Sequence, residues 1–120
     1  MQTVELPFTT LEIHDFYVIG RTKEGVNLCI DDHLQVIDTV NQYLTPPYAF
    51  IVDEVNSYSI DFPVMQHIRN DMNISCIGVV YYREATRKSL EVGTMEINKP
   101  VFFSNDLNTV TNWVEKKIAF

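Results

Sequence analysis

The sequence predicts one α/β domain over residues 1–120: a mixed central sheet of four to six strands with about four helices, an N-terminal strand pair and then repeated β-α units. Three observations carry this expectation. Two apolar runs free of charge, Tyr48–Val52 and Ile74–Tyr82, suit inner strands covered on both faces. Segments with apolar residues three and four apart lie between and after those runs, as amphipathic helices require. The length fits one domain, which can remove roughly two-thirds of its unfolded surface from water.

Each element has its own signal. Thr3–Leu6 and Leu11–His14 read as short strands around Pro7-Phe8-Thr9, and Phe16–Thr22 is a third, rich in aromatic and β-branched residues. Lys23-Glu24-Gly25 breaks the chain. Ile30, Leu34, Ile37, Val40 and Leu44 then form one stripe on a 3.6-residue period, with Asp31 and Asp32 at the positive end of the helix dipole. Thr45-Pro46-Pro47 stops that helix, since proline cannot continue the hydrogen-bond ladder. A second helix is expected from Ser59 or Asp61, with Val64, Ile68 and Met72 inward and Pro63 tolerated in the first turn. Glu84–Ile97 reads as a weakly patterned helix and Pro100–Phe103 as a strand. Asn105 or Asp106 caps a last helix with Leu107, Val110, Val114 and Ile118 in line. The expected core contains Leu34, Ile37, Val40, Ile51, Ile77, Val79, Val110 and Val114.

Composition excludes several classes. An apolar fraction of 46% with 21% charged residues rules out disorder as the main state. The net charge of −7 argues against generic binding to nucleic acid, which needs a basic face, and against adsorption to anionic membranes. That charge is uneven: residues 1–62 hold ten acidic and two basic side chains, whereas residues 63–120 hold six and seven. No uncharged run is long enough to span a bilayer, and the opening residues lack the basic start and apolar run of a secretory signal. The expectation is a cytoplasmic protein. Cys29 and Cys76, with no further cysteine, form no disulfide framework or zinc cluster and read as free thiols.

Few residues carry chemistry. His14, His33 and His67 share no metal spacing, and Asp31-Asp32-His33 cannot converge because neighbouring helix residues point about 100° apart. The four glycines match no phosphate-binding fingerprint, and no GxSxG elbow is present. Cys76, in a core strand, reads as inert beside any His67 dyad. Two places offer more. The loop Asp53–Ser59 joins a strand's carboxyl end to a helix's amino end, where open α/β sheets gather ligands and partners. Asp53, Ser57, Tyr58 and Ser59 are its candidate binding residues, against the plainer reading that Ser59 caps a helix and Asp53 satisfies loop amides. Arg83 and Arg87, after Tyr81-Tyr82 and beside Lys88, either hold a phosphate or carboxylate or pair with Glu84 and Glu91 on a solvated face.

Three stretches carry a family resemblance: Ala49–Asp53, a strand ending in Asp; Ile74–Tyr82 followed by Arg83; and Pro100–Phe103 with Asn105–Val114, a strand and a Trp-bearing helix. From Leu11 on, their order resembles the STAS fold of the sporulation anti-sigma-factor antagonists. It is more similar still to the small STAS/SEC14-like bacterial proteins of unassigned role. In the antagonists a phosphorylated serine follows an Asp at the start of the helix after the Asp-ended strand. Here Asp61 matches the Asp, and Phe62 stands where the serine would be. Only a shifted site, Ser57 or Ser59, could take a phosphate. The resemblance therefore implies a regulatory fold without implying an antagonist.

Together these readings point to a non-enzymatic regulatory or protein-interaction module with no cofactor and no metal. Its acidic first half suits a basic protein partner, and a homodimer stays open. The rival is a binding protein for an anionic or lipid-like small molecule, using a crevice near Arg83/Arg87.

Overall fold

In the computed structural model, which describes residues 1–118, the N-terminal segment folds as an antiparallel meander: β1 (Gln2–Glu5), β2 (Thr9–Ile13) and β3 (Tyr17–Thr22). From β3 onward the sheet is parallel, through β5 (Tyr48–Asp53), β7 (Ile74–Val80) and β8 (Val101–Ser104). The order is β1-β2-β3-β5-β7-β8, so Tyr48–Asp53 and Ile74–Val80 are inner neighbours, as their uncharged runs predict. Two-residue strands β4 (Asn27–Leu28) and β6 (Ser59–Ile60) form a separate parallel ladder with no sequence signal of its own.

Strand alternation sorts the core into two layers. Leu11, Val18, Tyr48, Ile77 and Val79 face α1 (Ile30–Asn41), α2 (Phe62–Asn70) and α3 (Glu84–Thr94). Tyr17, Ile19, Ala49, Ile51, Cys76 and Val80 face α4 (Leu107–Ile118) through Val110 and Val114. Asp106 starts α4, its Oδ2 accepting the Thr109 N–H at 3.1 Å. Close approach of α4 to β7 uses Gly78: a Cβ there would overlap Val110 Cγ1.

Four expectations are corrected. Leu34 is 39% exposed, because the buried face of α1 is centred on His33, Val36, Ile37 and Val40. The polar ring of His33 is satisfied by His67, so it takes the inward position about 100° around the helix from Leu34. Met72 is exposed since α2 ends at Asn70 and Asp71 turns the chain, its Oδ1 accepting the Asn73 N–H. The strand at Ile74 stops at Val80, leaving Tyr81 and Tyr82 beyond it. Ser59 does not begin α2: it pairs in β6, and Asp61 is the N-cap.

Candidate functional site

The carboxyl ends of β3, β5 and β7 meet the loop 53–60, and the loop is pinned from several sides. Glu24 Oε2 accepts the Ser57 N–H at 2.7 Å, and Gly25 donates its N–H to the Ser57 carbonyl at 2.8 Å. Gly25 has φ +76°, a left-handed backbone that glycine adopts without a Cβ penalty. Asn56 Nδ2 donates to the Thr22 carbonyl at 3.1 Å, and Ser59 Oγ to Asn27 Oδ1 at 2.7 Å. The small β4–β6 ladder completes the clamp.

Asp53 and Glu54 are adjacent, and both are buried, with different outcomes. Asp53 lies on the α4 side of the sheet, where its Oδ2 accepts Arg21 Nε at 2.8 Å and its Oδ1 accepts the Tyr82 hydroxyl at 2.7 Å. Arg21 also donates to Glu12 Oε2 at 2.7 Å, giving a chain of partners across three strands and the β7 end. The Arg21 hydrogen bond is the main cause that lowers the Glu12 carboxyl. Burial, with the Asp53 hydrogen bond behind it, pushes the Tyr82 phenol up to about 12.

Glu54 has no such partner. It is 6% exposed, and its Oε1 is buried with no hydrogen bond among the described residues. Burial raises its carboxyl to about 7; the nearby Tyr58 hydroxyl offsets this in part and the Asp53 charge adds to it. Burial beside Glu54 also holds the Tyr58 phenol well above its ordinary value. Sequence reasoning passed over Glu54. The available signal was an acidic residue directly after an uncharged inner strand, one place beyond the Asp that was singled out.

The candidate basic cluster separates. Arg83 Nη2 donates to Ser57 Oγ at 2.9 Å, so it joins the loop. Arg87 is held on its own helix by Glu84, at 2.7 Å, and by Glu91, with Tyr81 under its guanidinium. The two arginines therefore do not share a site. His33 and His67 do meet, Nε2 to Nδ1 at 3.2 Å, although they stand on different helices. Burial, then the neighbouring His67, lowers His33 to about 4, with Asp71 opposing in part. Among the described residues no three His, Cys, Asp or Glu side chains converge to hold a metal ion, and no helix is long and apolar enough to cross a membrane.

Two hollows adjoin the loop. An apolar cavity of about 80 Å³ lies between the sheet and α1, α2 and α3, walled by Leu11, Val36, Val52, Ile68 and Ile97 among others. A groove of about 520 Å³ lies between the loop and α3, with Glu54, Ser57, Tyr58 and Arg83 on its border. Tyr58, Ile60, Met65 and Leu90 line both, and so form the partition between them.

Comparison with solved structures identifies the architecture. A crystal structure of an uncharacterized protein of the DUF3478 family from Shewanella loihica PV-4, described as having a SpoIIAA-like fold, superposes with a TM-score of 0.61 at 13% identity, covering 88% of this chain and 91% of that one. This chain has a SpoIIAA-like fold. The mixed sheet with four helices agrees with the STAS resemblance read from the strand endings. No family model matches the sequence, and no curated protein matches it. At that identity the likeness extends to the fold alone.

Proposed function

We propose that this chain is a non-enzymatic regulatory module that docks a basic protein partner across the loop 53–60 and the start of α2. The observation that carries the reading is a loop clamped from several sides yet flanked by large apolar side chains left in water. Val55 is 47% exposed, Phe62 56% and Tyr82 52%. Exposed apolar side chains that form one patch beside an ordered loop would serve as an interaction surface. Ordering the loop in advance reduces what binding must spend on it. The acidic excess of residues 1–62 supplies the complementary potential for a basic partner. Ser57 and Ser59 sit in the same surface, and a phosphate on either would add about −1.5 to −2 charge there. The rival carrier of an anionic or lipid-like molecule has less support. Arg87 is engaged by Glu84 and Glu91, and the apolar cavity, at about 80 Å³, is far below the several hundred that a drug-sized ligand fills.

The test is affinity capture from the native cell with the parent and a Val55→Asp/Phe62→Asp variant, both exposed positions that should leave the fold intact. A basic protein retained by the parent, released by added salt and lost by the folded variant is the expected result. Equal retention by both proteins, or none by either, would remove the proposal.

A further inference from the structure

We infer that the groove between the loop 53–60 and α3 binds a small zwitterion with an apolar side group, its ammonium group on Glu54 and its carboxylate on Arg83. The inference does not rest on the partner reading. It starts from a carboxyl that folding leaves unmatched.

Glu54 is the most deeply buried residue bordering the groove, and its Oε1 has no donor among the described residues. A buried acceptor without a donor costs the fold on the order of 1–3 kcal/mol, so such groups call for a specific account. Asp53, one residue earlier, shows that this end of the sheet can fully satisfy a carboxylate when both partners belong to the chain. An N–H donor seated in the groove would supply to Glu54 what Arg21 and Tyr82 supply to Asp53. The charged ammonium is the strongest such donor for a carboxylate.

The carboxylate of the ligand is set by Arg83. Its Nη2 donates to Ser57 Oγ, and the other N–H groups of its guanidinium make no hydrogen bond or ion pair among the described residues. A planar fork with uncommitted donors fits a carboxylate. Arg87 cannot serve, being tied to Glu84 and Glu91.

The middle of the groove is apolar and roomy. Ile60, Met65 and Leu90 offer hydrocarbon, while Ala85, Ser89 and Gly93 give α3 a small-residue face toward the same space. No residue of α3 is fully buried, and Leu90 packs it against the core. At about 520 Å³ the groove holds an apolar amino acid with room to spare. Adjacent positive and negative groups, with a hydrocarbon side group against Ile60, Met65 and Leu90, distinguish this ligand from the anionic or lipid-like one that the arginines alone suggested.

The experiment is amide-resolved NMR titration of the full chain with L-leucine, L-methionine and L-phenylalanine, each to about 20 mM, a range that detects millimolar affinity. Two leucine analogues accompany them: 4-methylpentanoate, which lacks the ammonium, and leucinamide, which lacks the carboxylate. The expected result is saturable shifts confined to residues 54–60 and α3 for at least one amino acid. Glu54→Gln and the missing ammonium should each weaken binding by about tenfold or more. Arg83→Ala and the missing carboxylate should do the same. Shifts from none of the three amino acids would overturn the inference. So would 4-methylpentanoate binding as tightly as leucine, or a Glu54→Gln titration equal to the parent's. None of these outcomes bears on partner capture through Val55 and Phe62, so the two proposals fail separately.

Discussion

Replacing Glu54 by Gln should make the protein more stable, and increasingly so as the pH rises. In an unfolded chain this carboxyl ionises at its ordinary value of 4.5, and in the fold burial moves it to about 7. Between those values the folded state holds a proton that the unfolded state has released. Unfolding therefore releases a proton, and stability falls with increasing pH across that window. The contribution is fully present below 4.5, and its loss is nearly complete once the pH passes 7. At about 1.4 kcal/mol per pH unit the loss is on the order of 3 kcal/mol. For a domain of this size that is roughly 10 °C in melting temperature. Glutamine keeps the shape and does not titrate. Urea unfolding of both proteins at several values between about pH 5 and 8 should give two stability curves that separate as pH rises, the variant above the parent. Every other ionisable group is common to both proteins and cancels in the difference. Curves that stay parallel would mean that Glu54 is solvated, and would remove the unmatched carboxyl from which the ligand inference starts.

His33 should act in the opposite direction at acid pH. Its folded value of about 4 lies below its ordinary 6.5, so its contribution is intact above 6.5 and lost as pH falls through 4. His33→Gln should therefore resist acid better than the parent by up to about 3 kcal/mol, read from urea midpoints, and equal acid sensitivity would contradict the burial of that ring. Gly78→Ala tests the seating of α4. The new Cβ would overlap Val110 Cγ1 and lie 3.3 Å from Val114 Cγ2 and 3.4 Å from Ile51 Cγ1, all on fully buried residues. Overpacking of that kind costs about 1–3 kcal/mol, and Val110→Ala in the same chain should recover part of it. An unchanged urea midpoint would show that α4 does not pack where β7 has no side chain.

The fold was legible because its decisive signals are local. Uncharged runs at Tyr48–Val52 and Ile74–Tyr82 suit inner strands, and the structure places Tyr48–Asp53 and Ile74–Val80 inside the sheet. Asp106 marked a helix start through backbone chemistry that needs no tertiary information, whereas α1 ends at Asn41 and leaves Leu44, expected in its stripe, between the helix and Pro46. Leu34 failed for a tertiary reason. Periodicity counts apolar side chains on a helix face, and it cannot see that His33 acquires a partner from α2, thirty-four residues away. The β4–β6 ladder failed likewise, since two-residue strands carry no pattern and exist here because the loop is clamped. Arg83 and Arg87 look like a pair in sequence because they lie one turn apart. Which partner each one finds depends on where Ser57, Glu84 and Glu91 stand in space.

The same limit explains why the loop's leading residue was recognised and its neighbour was not. In a strand, adjacent side chains leave by opposite faces. Asp53, the last residue of β5, leaves toward the α4 side, where Arg21 of β3 and Tyr82 after β7 are fixed by their own strands. Glu54 leaves toward the side of α1, α2 and α3, where the sheet ends and only Tyr58 comes near. One carboxylate thus ties three chain segments together, and the next is withdrawn from water with its Oε1 unpaired and only Tyr58 beside it. A sequence records both as an acidic pair at the end of an apolar run. Only the ladder distinguishes a structural carboxylate from one free to take a ligand. The distinction has a direct mechanical consequence. Arg21, Tyr82 and Asn56 tie the other side, so a molecule that engages Glu54 need not rebuild the surface carried by Val55 and Phe62.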